Sequence, residues 1–505
     1  MVKYESTKQL TIEEFRTPFY RKLSAENRWV KLSQVVPWDR FAKIYMEVMD
    51  KKIGRPGLSP RIVLGALIIK HLKKLDDRGT IEEIQENPYM QYFLGLEEFT
   101  AEEIFDASLF VEIRKRIGKE SFDILNEQLI KSVSWEKDKK RREKWEKGKE
   151  KKEEQPKNKG KMQADATVAD QYIKYPTDTN LLNESRKKLE GMIDNLYAQQ
   201  GKTGVKPRTY RRILDKAYLQ HSKKRKKTKT EIRKMNHRLL EGVSRDIKHV
   251  DRMLDDFEKK GKQFPLTQRE LRYLWIIRTV YMQQVEMYKK KTHKIADRIV
   301  SLHQPHVRPI VRGKEKARVE FGSKLSVSLD QGLTRIDKIS WDAYNESGDL
   351  KDQVEKYKEL HGYYPEVVQV DKIYATRENR RWLKERGIRI TASPLGRHAK
   401  KSAVNYYQKR KRKREAIERN AIEGKFGQGK NGYELNRIRA RLRETSESWI
   451  SCIFFVMNLL RYEKIYFWFF FYRLFSRLRT GIFENIFLKV TMQPSYVGLN
   501  DYFGK

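Results

Sequence analysis

The sequence predicts an α/β chain: a mixed β-sheet flanked by helices, preceded by an all-helical domain and interrupted after its first core strand by a helical insertion. Three observations predict it. Apolar residues recur at helical spacing through 1–135 and again through 181–300. From residue 307 the period becomes two, with Leu325, Val327 and Leu329 alternating with Ser326 and Ser328. Beyond that, short apolar runs alternate with helical stretches, the pattern of strand–helix–strand units with parallel neighbours and right-handed crossovers. At 505 residues the chain is long enough for roughly three units of about 150 residues each.

The elements follow in order. Ser59-Pro60 reads as an N-cap with proline at the first helical position, and Ile62, Leu64, Leu67, Ile68 and Leu72 form the stripe behind it. Thr80 with Glu83 and Thr100 with Glu103 have capping-box spacing. Pro88 stops one helix and Gly118 ends another. Several short helices suit a DNA-binding head and equally suit a plain helical domain. Residues 136–161 hold 13 Lys or Arg and 7 Asp or Glu, which marks a charged linker or a solvated helix. Met162–Val168 reads as a short strand. The helical block that follows has expected caps at Asn183 and Thr267 and a basic run, Lys223–Lys227. Gly332 turns the chain into a return strand, Arg335–Trp341. A helix over 349–361, a buried strand Val367–Val370, a helix Arg377–Arg386 closed by Gly387, a strand Ile388–Ala392 ended by Pro394, and a basic helix Lys409–Glu423 complete the series. This order matches an α/β ribonuclease-H-like catalytic core. The expected divisions are 1–135 helical and DNA-binding, 136–161 linker, 162–180 first core strand, 181–306 insertion, 307–450 remaining core, and 451–505 C-terminal helix and aromatic-rich tail.

Composition narrows the function. Lys and Arg number 109 against 68 Asp and Glu, a net charge of +41. Such a surplus repels itself unless a polyanion neutralises it, which points to nucleic acid, with an anionic membrane as the rival. The apolar runs 452–460 and 465–472 fall short of the ~20 residues that span a bilayer. They read as a buried helix and an aromatic-rich tail. The polar stretch Met1–Thr17 is no signal peptide. A single cysteine, Cys452, excludes a disulfide framework within the chain and a Cys-rich zinc module.

Three carboxylates are the candidate reaction centre: Asp165 on the first core strand, Asp371 at the end of the fourth, and Glu423 on the last helix. On adjacent parallel strands the two aspartates emerge at one sheet edge, where open α/β sheets place their sites. Three carboxylates together are costly without a cation, and hard oxygen ligands select Mg²⁺ or Mn²⁺. Two such ions ~4 Å apart activate a water or a 3′-hydroxyl and stabilise the leaving oxygen. Asp170, Asp178 and Asp330 compete for the same roles. His303 and His306 form an HxxH without two further zinc ligands.

Four stretches carry a resemblance. They are LSPRIVLGALIIKHLKKLDDRGTIEEIQENPYMQYFLGLEEF (58–99), DATVADQYIKYPTDTNLLNESR (165–186), VVQVDKIYATRENRRWLKERGIRI (367–390) and IEGKFGQGKNGYELNRIRARL (422–442). With 307–345, they cover most of the chain before its C-terminal tail. The sequence resembles bacterial insertion-sequence transposases of the DDE type, in the insertion-sequence-five branch. The resemblance places the three acids at Asp165, Asp371 and Glu423. The family's third motif is tyrosine, two residues, arginine, three residues, glutamate, six residues, lysine. Arg419, Glu423 and Lys430 fit it, while the tyrosine position is Ala416.

Arg419, one helical turn before Glu423, suits either a phosphate or an ion pair with Glu423. Lys430 is expected beyond the helix, near Gly427, Gly429 and Gly432. The run Lys409, Arg410, Lys411, Arg412, Lys413, Arg414 reads as a phosphate track that positions DNA without reading sequence. Trp341, Trp382, Tyr406 and Tyr407 are candidates either for base stacking or for scaffold. The resemblance implies a metal-dependent transposase that binds double-stranded DNA at terminal inverted repeats, pairs two ends as a homodimer, cuts, and joins the ends to a target. The insertion would help clamp DNA or the partner subunit. A cytoplasmic, nucleoid-associated protein follows from the same resemblance. The rival readings are a nuclease that hydrolyses without joining, and a transposon-derived DNA binder whose site has decayed.

Overall fold

A computed structural model describes residues 22–47, 49, 57–146, 158–202, 204–311, 319–392 and 406–491. Pro394, 147–157 of the charged linker and the last residues of the tail lie outside these. The chain opens with helices α1 (Arg28–Val35), α2 (Trp38–Glu47), α3 (Pro60–Lys73), α4 (Asp77–Glu86), α5 (Pro88–Leu94) and α6 (Leu109–Glu146). Pro60 takes the first position of α3 as expected. That helix has no solvent stripe: Val63, Leu64, Ala66, Leu67, Ile68 and Ile69 are all buried, so it is the central rod of the head. Neither expected capping box in this region forms. Helix α4 starts earlier, where the Asp76 carboxylate accepts from Gly79 N at 2.8 Å, and Thr80 is buried inside the helix. Thr100 makes only a local turn with Glu102 N, and α6 begins after Asp106, whose carboxylate holds Ser108 N. Gly118, at φ 64°, breaks the long α6 into two helical pieces. Backbone helix then continues into the first part of the charged linker, to Glu146.

Strand β1 (Lys161–Asp170) leads into an insertion of four helices: α7 (Asp178–Gln199), α8 (Arg211–Lys223), α9 (Lys229–Lys259) and α10 (Gln268–Lys290). Thr177, not Asn183, caps α7; Asn183 is buried a turn and a half further on, where it receives Arg186. Thr267 does form a capping box with Glu270. The insertion has its own apolar core, built from residues such as Leu182, Ile193, Leu239, Val243 and Ile277. Asp246 sits in the same stripe of α9 as Leu239, Val243 and Val250, wholly buried, with Arg245 Nε 3.5 Å from its Oδ1 as a long ion pair that only partly offsets the burial. Burial pushes its pKa from 3.8 up to about 7. The folded protein therefore holds this proton longer than the unfolded chain does. That preference favours the fold below pH 4 and is lost as pH rises towards 7. Asp246→Asn is expected to remove this slope and to stabilise the protein at neutral pH by up to about 4 kcal/mol. Urea unfolding of both proteins at pH 5 and pH 8 checks it; equal differences at the two values would refute it.

The remaining elements are β2 (Arg308–Val311), β3 (Val319–Asp330), β4 (Leu333–Ser340), α11 (Leu350–His361), β5 (Val367–Val370), α12 (Arg377–Glu385), β6 (Arg389–Ile390), α13 (Tyr406–Gly432) and α14 (Arg443–Thr491). The sheet is mixed. Strand β3 pairs antiparallel with β1 on one edge, and with β4 and β2 along successive halves. On its other side β1 pairs parallel with β5, and β5 with β6. Met162, Ala164, Val368 and Val370 face α11 and α12 in one apolar layer. Leu325, Val327 and Leu329 face the opposite way, into a core that also contains Ile422 of α13, residues 449–459 of α14, and most of the head. The ring of Phe455 meets Phe41 at 5.3 Å and Phe122 at 6.0 Å. Buried Asn458 reaches Asn126 Oδ1 (2.6 Å) and accepts from Thr334 N (2.9 Å), tying α14, α6 and β4 together. No helix among the described residues is long and apolar enough to cross a membrane.

Candidate active site

The parallel register of β1 with β5 sets Gln163 opposite Gln369 and Ala164 opposite Val370. The paired register stops there, and Asp165 and Asp371 are the next residue on each chain. Side chains alternate across a sheet, so Gln163, Asp165, Gln369 and Asp371 share the face covered by α13. Strand β5 ends here because four buried residues give way to an exposed aspartate and a single 3₁₀ turn, Lys372–Tyr374. Each aspartate is oriented by the next backbone amide: Asp165 Oδ1 accepts from Ala166 N (2.8 Å), and Asp371 Oδ1 from Lys372 N (2.7 Å). Tyr374, which sequence reasoning passed over, is fully buried nearby. Burial and the charge of Asp165 raise its hydroxyl pKa well above the ordinary tyrosine range.

Helix α13 lies along β1. Near one end Gln163 Nε2 donates to the Glu418 carbonyl at 2.7 Å. Towards the other, Lys430 reaches Glu320 at 3.1 Å and Asp170 at 3.7 Å. Glu423 lies between these anchors, 53% exposed, and pairs with Arg419 at 3.2 Å. The ion pair weighed for Arg419 is thus present. Among the described residues no group of three or more His, Cys, Asp or Glu side chains is close enough to hold a metal ion. The two aspartates directly follow the last residues paired between β1 and β5, while Glu423 stands on α13 and is engaged by Arg419. Two adjacent carboxylates on one sheet face are a donor set for a hard divalent cation. They fit such an ion as an incomplete shell.

Lys430 is not in a loop as expected. Its three glycine neighbours are helical, and of these Gly429 is closely packed: a Cβ there would lie 3.2 Å from Leu435 and 3.5 Å from the Met457 sulfur. Lys409, Arg410, Lys411, Arg412, Lys413 and Arg414 are all exposed on the first turns of α13. Of the aromatic candidates, Trp341 is buried and donates to Glu447 (2.7 Å), and Trp382 lies under Arg386. Tyr406 and Tyr407 are exposed. His303 meets Tyr273 Oη at 2.7 Å, and His306 packs on Trp341 at 4.4 Å with its pKa lowered to about 4 by burial and by Arg443. Of the competing acids, Asp170 pairs with the motif lysine Lys430 (3.7 Å), while Asp178 pairs with Arg298 (2.7 Å) and Asp330 with His361 (3.2 Å).

Residues 368–460, which run from β5 through α13 into α14, match the family model described as Transposase DDE domain. Residues 17–116, the helical head, match a second model, Transposase domain (DUF772). A protein of Rhizobium meliloti, described as an uncharacterized protein, ORF8 in the nfe locus, is 32% identical over 152 residues. That match covers 30% of this chain and 66% of the relative, just under two thirds of its length. Two separate segments of the chain, 17–116 and 368–460, thus resemble transposase domains.

Proposed function

We propose that this chain is a DNA transposase that binds the terminal inverted repeats of its own element, cuts the ends and joins them to target DNA. One observation supports the reading: Asp165 and Asp371 directly follow the paired residues of β1 and β5, and α13, which bears Arg419 and Glu423, packs on the preceding Gln163 and Gln369. The strand order β4-β3-β1-β5-β6 supports a ribonuclease-H-like core. Asp165, Asp371 and Glu423 would hold Mg²⁺ or Mn²⁺, two ions by the chemistry. Bound there, such ions supply nucleophile activation and charge neutralisation at the leaving oxygen.

The chain's own groups do the rest. Backbone amides fix the two aspartates. Arg419 offers its fork to the scissile phosphate and, in doing so, exchanges its carboxylate partner and frees Glu423 to turn towards the aspartates. The exposed cations at 409–414 hold the flanking backbone. In the first step water attacks phosphorus and a 3′-hydroxyl leaves. In the second that hydroxyl attacks a target phosphodiester, so one phosphodiester is exchanged for another and no nucleotide is consumed. Two copies of the chain would pair two ends.

The test incubates purified protein with DNA bearing the ends found beside its coding region, a target plasmid, and Mg²⁺ or Mn²⁺. Cleavage with joining is expected. Cleavage without joining would indicate a nuclease, and tight binding without cleavage a decayed transposase.

A further inference from the structure

We infer that Glu418 is a positioning residue: it fixes the register of α13 against β1 and β5 and so brings Glu423 level with Asp165 and Asp371. Its carboxylate Oε2 accepts from Lys161 Nζ on β1 (2.8 Å) and from Gln369 Nε2 on β5 (3.0 Å). Its own carbonyl accepts from Gln163 Nε2 on β1, and that amide also reaches Gln369 Oε1 at 2.7 Å. One helical residue therefore grips both strands at the paired glutamines. The aspartates are two residues further along each strand, about 6.6 Å. Glu423 is five residues further along the helix, about 7.5 Å. The two advances match only while Glu418 stays over the glutamines. A slip of α13 by one residue would rotate Glu423 by about 100° away from the sheet.

The anchoring role is separable from a stabilising one. Lys161 is 56% exposed and Glu418 33%, and an ion pair so open to water adds little to stability. Buried Ile422 keeps α13 on the core without it. Lys161 and Gln369 both hold the carboxylate below the usual range, so the anchor is charged at neutral pH.

Glu418→Ala is expected to lower single-turnover end cleavage by about 10–100-fold, the cost of an ångström-scale misplacement, with end binding and the thermal midpoint unchanged. Glu418→Gln should retain most activity, because its amide oxygen still accepts from Lys161 and Gln369. The exchange Lys161→Glu with Glu418→Lys should recover part of the loss. A second readout needs no activity. With Asp371→Cys and Glu423→Cys in one chain, a short bifunctional thiol reagent should link the pair, and adding Glu418→Ala should reduce the yield; native Cys452 is buried. Unchanged cleavage and cross-linking in Glu418→Ala would overturn the inference. So would a cleavage loss that merely follows unfolding, or a cysteine pair that fails to link with Glu418 intact. The expected effect on cleavage rests on the transposase reading. If the unaltered protein cuts no end, that reading fails and the cross-linking yield still decides the register.

Discussion

Asp371→Asn should abolish end cleavage and joining, by about 1,000-fold or more, while end binding persists. The amide keeps the shape of the side chain and can still accept from Lys372 N through its oxygen. It loses the charge that, with Asp165, is proposed to hold the cation. The position is exposed at the end of β5, so no core packing is disturbed. Gel-shift binding with end DNA, beside cleavage and joining in Mg²⁺ and in Mn²⁺, checks it. A variant that cuts like the parent would remove Asp371 from the site, and with it the pairing to Asp165 on which the functional proposal rests.

Phe455→Ala should cost about 3–5 kcal/mol, because a fully packed ring leaves a cavity that its neighbours fill poorly. The location matters as much as the size. Phe455 touches Phe41 of α2 and Phe122 of α6, so the loss should appear in the head as well as in α14. Hydrogen exchange is expected to show amides of α3, α6 and α14 gaining exchange together. Protection lost in α14 alone, with the head unaffected, would mean that the head has an independent core.

Much of this was legible in the sequence for identifiable reasons. The strand Val367–Val370 is a short apolar run closed by a charged residue, and it was read with its observed limits. The alternation through Leu325, Val327 and Leu329 marked β3, and Gly332, at φ 85°, marked its turn. The caps misread at Thr80, Thr100 and Asn183 share one cause. Spacing identifies which residue types are able to cap, whereas the cap itself needs extended backbone at that position, and Asp76 and Thr177 had it instead. Lys430 was misplaced because three glycines suggest a loop, while α13 runs through them to Gly432 and packs closely at Gly429. Glu418 carried no local signal, because its partners lie 49 and 257 residues away. The sharing of one core by the head and α14 was hidden for the same reason: it joins segments more than 300 residues apart.

That shared core also sets a schedule. Trp449 packs on His71 and beneath Lys70 and Arg114, and Asn458 completes the polar contact of α6. None of these partners exists until the ribosome has reached α14. At about 5–20 residues per second, the roughly 300 residues between the head and α14 take about 15–60 s to emerge. For that interval the nascent head has apolar surface with nothing to cover it. A message cut short before residue 449 would leave that face of the head uncovered. Synthesis through α14 is thereby a condition for burying it.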